Sequence, residues 1–143
     1  MINNVLDLTI LFAASFFAAT LIPAQSEGVL AVLQLTGNHN NMVLLGVATL
    51  GNVLGACINW LFGRYLLHFQ YRNWFPINAD KIASATKHYK RFGVWTLLFS
   101  WLPIIGDPLT LIAGIFQTKF WLFLFLVTIG KLSRYVIIML VIM

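Results

Sequence analysis

A chain of 143 residues that is 60% hydrophobic and only 9% charged, with a mean hydropathy of +0.87, lies far outside the composition of soluble globular domains. A domain this small buries roughly 70% of its unfolded surface. Many of the 12 Phe and 5 Trp would therefore face water, which excludes a soluble fold. The net charge of +5 sets nine Lys and Arg against four acids, Asp7, Glu27, Asp80 and Asp107. The cations form no groove-sized patch with interleaved aromatics, so no nucleic-acid partner is expected, and the charge reads as membrane topology.

The N-terminus carries no Lys or Arg before an apolar run that outlasts a signal h-region, so no cleaved leader is expected. From residue 8 the chain is apolar up to Pro23, where Gln25, Ser26, Glu27 and Gly28 interrupt it. A helix over 8–22 reaches only about 22 Å, too short to cross roughly 30 Å of hydrocarbon. Residues 8–36 thus read as a first re-entrant hairpin, closed by the Gly- and Asn-rich turn 36–41. Residues 42–63 are long and apolar enough to span. The stretch 64–91 holds Arg64, Arg72, Lys81, Lys87, Lys90 and Arg91. Within it, Asp80 caps an amphipathic helix over 80–92 that either lies on the anionic inner leaflet or is a solvated linker. The apolar run 92–102 reaches about 16 Å before Pro103, Gly106, Asp107 and Pro108 interrupt it, which makes 92–117 a second hairpin. After the turn at Gln117, Thr118 and Lys119, residues 120–143 span again.

Pro23 precedes Glu27 by four positions, as Pro103 precedes Asp107. The order of hairpin, turn and spanning helix also recurs. The expected fold is therefore an all-α membrane protein, a single membrane domain over 1–143 made of two inverted repeats joined by the cytoplasmic segment. Inverted repeats place a site near the midplane between broken helices. The Lys and Arg bias puts 64–91 inside, so the first hairpin enters from outside and the second from the cytoplasm.

Glu27 and Asp107 are the sharpest site candidates, because a carboxylate at membrane depth faces a cavity or a basic partner. Burial drives a carboxyl toward neutrality, which suits proton exchange; capping of a half-helix N-terminus is the plainer role. Lys131 and Arg134 lie one turn apart on an apolar helix and share a face. They either clamp a phosphate, Arg as a bidentate fork and Lys as a point charge, or neutralise the two acids. Asn52 and Asn59, seven apart, face a cavity or serve as interhelical packing amides. Cys57 stands alone as a small buried hydrophobe. His39, His68 and His88 lack metal-ligand spacing. No nucleophile with a base and no phosphate-cradling loop is present, so neither an enzyme nor a cofactor is expected.

Several motifs occur together: Ile22-Pro23-Ala24-Gln25-Ser26-Glu27; Gly51-Asn52 with Gly55, Asn59, Gly63 and Arg64; Leu98, Ser100, Trp101, Pro103, Gly106 and Asp107; Ala113-Gly114; and Gly130-Lys131 with Arg134-Tyr135. Together they resemble the DedA superfamily, with its VTT-type domain, and within it the short YqaA subfamily, over nearly the whole chain. The resemblance implies two facing re-entrant hairpins with tips at Pro23, Pro103, Gly106 and Pro108. It also implies an inner-membrane, multi-pass location and movement of lipids between leaflets, undecaprenyl phosphate among them, with proton coupling. Typical members bear two arginines around the second hairpin's proline, where this chain has Ser100 and Gly106; Lys131 and Arg134 supply positive charge instead. The expected function is a lipid-phosphate translocator whose partners are membrane lipids, an anionic carrier lipid among them, and an oligomer is compatible with it. A small-ion transporter and a structural, envelope-maintaining protein are the competing expectations.

Overall fold

The computed structural model describes residues 2–20, 25–66, 87, 89–102 and 105–143. Among them the regular elements are all helical: α1 (Ile2–Thr20), α2 (Gln25–Thr36), α3 (Asn41–Leu66), a 3-10 helix (Gly93–Trp101), α4 (Gly106–Ile115) and α5 (Phe120–Ile142). Pro23, Pro103, Asp80, His68 and His88, with most of the helix expected over 80–92, lie outside the described residues.

Two helices are long and apolar enough to cross a bilayer, α3 with 26 residues and α5 with 23, about 39 and 35 Å at 1.5 Å per residue. These are the expected spans 42–63 and 120–143, lengthened in α3 and ending at residue 142 in α5. Their starts and stops have local causes. Asn40 accepts the Met42 amide on its side-chain oxygen at 2.9 Å and so caps α3. Gly37, with φ +66°, ends α2. Past α4, Gln117 takes φ +53°; the Gln117 amide bonds the Gly114 carbonyl and the Thr118 amide the Ala113 carbonyl, closing the helix as a Schellman turn.

The outer arms differ from the sequence expectation. α1 begins at residue 2 and runs for 19 residues, about 28 Å, because Ile2, Val5 and Leu6 extend the apolar helix and Asp7 is tied by His39 across 3.1 Å. The segment expected as an ordinary helix over 92–102 is instead a nine-residue 3-10 helix, entered through Gly93 at φ +63°. Its run of Val94, Trp95 and Thr96 has poor α propensity, and the larger 3-10 rise stretches it to about 18 Å.

Close backbone packing joins these pieces. A Cβ on Gly51 or Gly55 of α3 would strike the Phe12 or Phe16 carbonyl of α1. Gly63 and Gly114 interlock α3 with α4, each facing a carbonyl of the other helix, Leu111 and Trp60. Such small-residue seams let helices pack where lipid supplies no hydrophobic drive. α1 and α4 lie chiefly against α3, the 3-10 helix lies against α5, and α2 lies against α1 and touches both α5 and α3.

The interior has two apolar clusters. One gathers Ala56 and Trp60 of α3 with Phe123, Leu126 and Val127 of α5. The other gathers Leu44 and Ala48 of α3 with Tyr135 and Met139 of α5. Between them, on both spanning helices, lie the polar positions 52 and 131–134. The outside is apolar as well: Leu50, Phe62, Trp95, Trp121 and Phe125 are all more than half exposed, as a lipid-facing surface requires.

Candidate functional site

Lys131 sits at the middle of α5, with 11 residues on either side of it in Phe120–Ile142, and Arg134 follows one turn later. Both are buried. At that position a charge needs a partner, and each finds one on a different short helix. Lys131 Nζ donates to Asp107 Oδ1 at 2.7 Å, and Arg134 donates through a guanidinium nitrogen to Glu27 Oε1. Asp107 lies in the first turn of α4 and Glu27 in the first turn of α2, where the partial positive charge of the helix N-terminus favours a carboxylate. Pro108 is also in that first turn of α4, where a missing N–H costs nothing.

The two pairs are unequally sealed. Side-chain exposure is 1% for Lys131 and 18% for Asp107, against 6% for Arg134 and 36% for Glu27.

A second network backs the Arg134 pair. Asn52 Nδ2 donates to Tyr135 Oη at 2.7 Å, and Tyr135 donates to Ser26 Oγ at 3.1 Å, all three fully buried. This ties α3, α5 and the first turn of α2 directly beside Glu27. Asn52 Oδ1 is left without a partner. Asn59 belongs elsewhere: its amide donates to the Ala19 carbonyl at 2.7 Å and to Thr110 Oγ1 at 3.3 Å. It thereby satisfies an orphan carbonyl at the end of α1 and links α1, α3 and α4. Four charges and Asn52 thus converge at mid-helix, while Asn59 serves a helix junction. Among the described residues no group of His, Cys, Asp and Glu has the makings of a metal site.

The chain matches the VTT domain family over residues 9–143. It belongs to that family. It is similar to the inner membrane protein YqaA of Escherichia coli K12 and to that of Shigella flexneri, 39% identical in each case over 136 residues, covering 94% of this chain and 89% of the relative. A protein of Haemophilus influenzae is 30% identical over 137 residues, covering 91% and 83%. No solved structure matches. The DedA-type motifs thus mark a true membership, and the two YqaA relatives are inner membrane proteins.

For a VTT-domain protein, the geometry at Ser100 and Gly106 explains how a side chain as large as arginine is excluded. A Cβ on Gly106 would overlap the Ser100 carbonyl, and Ser100 Oγ itself occupies the space beside Gly130. The 3-10 helix, α4 and α5 meet there closely, and the buried cations among the described residues, Lys131 and Arg134, stand on α5.

Sequence reasoning did not assign roles to Tyr135, Ser26 or the Asp7–His39 pair. A signal for Tyr135 existed, because a tyrosine hydroxyl mid-way along an apolar spanning helix must find a partner. The Asp7–His39 pair joins residues 32 apart, and no local pattern announces it.

Proposed function

We propose that this chain is a translocator, not an enzyme, that carries a lipid phosphate between leaflets, with Arg134 and Lys131 receiving the phosphate and Glu27 and Asp107 exchanging protons. The observation that carries the reading is that two acids from two separate half-helices converge on two cations one turn apart at the middle of a spanning helix. Structural ion pairs in lipid are a cost that packing alone does not require. The site is neutral at rest. An arriving phosphate monoanion displaces Glu27 from Arg134, and a proton taken up by Glu27 keeps the sum at zero. The exposure of Glu27 makes its pair the first to open, and Lys131–Asp107 completes the cradle.

The packing order supports two inverted repeats. In each half the first arm lies on its own spanning helix, α1 on α3 as the 3-10 helix on α5, and the second arm, α2 or α4, touches the other half's spanning helix. The return of His39 to Asp7 supports a first arm that enters and leaves on one side, and the cation bias puts 64–91 in the cytoplasm. Cysteine labelling in a Cys57→Ser background should therefore modify a cysteine at Asn38 from outside and one at Asn73 from inside; the reverse pattern overturns the topology.

The test of function is leaflet transfer of a polyprenyl phosphate in liposomes containing the purified protein, at several pH values. Arg134→Ala is expected to slow transfer about 100-fold, the loss of a charge-assisted bidentate contact, and Asp107→Asn to abolish it at normal protein levels. Wild-type rates in both variants would sink the proposal. Equal transport of inorganic phosphate would favour a small-ion transporter.

A further inference from the structure

The side-chain amide of Asn59, on α3, serves both hairpins. Its Nδ2 donates to the Ala19 carbonyl of α1 at 2.7 Å and, by a longer bond of 3.3 Å, to Thr110 Oγ1 of α4. Thr110 in turn donates its single hydroxyl proton to the Asp107 carbonyl at 2.6 Å, which leaves only lone pairs to face Asn59. The direction of the relay is therefore fixed, from Asn59 outward to each hairpin.

The sequence explains why the first bond is needed. In a continuing helix the Ala19 carbonyl would accept the amide four residues on, but that residue is Pro23, which has no N–H. Ala19 is 1% exposed, and a backbone group freed at membrane depth has to be satisfied by a neighbouring element. The second hairpin meets the same problem locally: the carbonyl four residues before Pro103 is that of Phe99, and the Leu102 amide bonds it at 3.0 Å. The first break thus takes its donor from α3, and the same amide reaches the second hairpin. The packing around Asn59 divides in the same way. A Cβ on Gly55, one turn earlier, would strike the Phe16 carbonyl and Ala19 of α1, and a Cβ on Gly63, one turn later, would strike the Leu111 carbonyl of α4.

We propose that Asn59 couples the two hairpins: it holds the end of α1 and the first turn of α4 at one depth on α3, so that a shift of the turn carrying Asp107 is passed to the first hairpin. It is a positioning residue that acts on Asp107 through Thr110. This deepens the translocator reading by making the two hairpins of that site move together, but the coupling itself needs no substrate.

The test is amide hydrogen exchange on the full chain in phospholipid nanodiscs, read without substrate. Thr110→Val keeps the shape of the side chain and removes the hydroxyl. It is expected to speed exchange in a peptide covering residues 12–20 about fivefold, the contribution of one hydrogen bond to local opening. Ile112→Val, a comparable loss on the same helix, should leave that peptide unchanged. In an Asn59→Leu background, adding Thr110→Val should have no further effect there. Unchanged exchange at 12–20 in Thr110→Val, or an equal rise in Ile112→Val, overturns the coupling. In the leaflet-transfer assay, Asn59→Leu should lower the maximum rate at least about tenfold, the effect of displacing a working group by about 1 Å, with the half-saturating mole fraction of polyprenyl phosphate unchanged. A raised half-saturating fraction would put Asn59 at the head site and overturn the positioning role. If the parent protein transfers no lipid, the translocator reading fails alone, because the exchange result decides the coupling without it.

Discussion

The two ion pairs of the site share chemistry and differ in setting. Each joins a cation of α5 to an acid in the first turn of a short helix, yet the side chains of Lys131 and Asp107 are 1% and 18% exposed, against 6% and 36% for Arg134 and Glu27. The more buried pair behaves as a lock that opens second, because removing one partner strands the other. A pair with one exposed acid can exchange its partner. The contrast shows how one helix turn can hold one tightly and one loosely kept counter-ion.

The strongest way to break this comparison is to remove the acids one at a time. Asp107→Ala strands Lys131 where it is 1% exposed, and is expected to cost about 3–5 kcal/mol, read as a fall in melting temperature in detergent. Glu27→Ala should cost less stability, because its partner Arg134 is the less sealed cation. Equal melting shifts for the two would erase the distinction.

A smaller effect is expected at the network behind the Arg134 pair. Tyr135→Phe removes the hydroxyl that accepts from Asn52 and donates to Ser26, leaving buried groups unpaired at a cost of about 1–3 kcal/mol. Thermal melting together with the transfer rate checks it: the first turn of α2 should loosen and Glu27 with it. An unchanged rate would mean that the bridge does not hold Glu27.

The smallest effect on stability sharpens the idea of a lock. Replacing both charges at once, Lys131→Met with Asp107→Leu, should restore stability to within about 1 kcal/mol of the parent, since an apolar pair of similar volume substitutes well for a buried ion pair. Transfer should stay low because half of the phosphate cradle is gone. A double variant as unstable as Asp107→Ala would show that the site needs the ions for folding itself.

Much of the architecture was legible because a bilayer demands long apolar runs, and 42–63 and 120–143 have no soluble alternative. The charged candidates were legible for the same reason: Glu27, Asp107, Lys131 and Arg134 stand out in lipid-compatible sequence. The outer arms were less so. Apolar length underestimated α1, whose first residues extend the helix beyond the run that hydropathy marks. The weak α propensity of Val94, Trp95 and Thr96 does not by itself select a 3-10 helix, since the choice also depends on the backbone turn at Gly93 and on the close approach of Ser100 to Gly130. Asn52 and Asn59 looked equivalent, seven apart on one helix, but face different neighbours.

The sequence by itself determined that this protein lives in a membrane, where its spanning helices run and which charged groups needed partners, because the cost of burying a lone charge or of exposing apolar surface is a property of residue type. Only the tertiary structure decided which acid meets which cation and which pair is the more open. Those outcomes depend on where backbones approach within a few ångströms at Gly63, Gly106 and Gly114, and such distances are set by the packing of helices far apart in the chain.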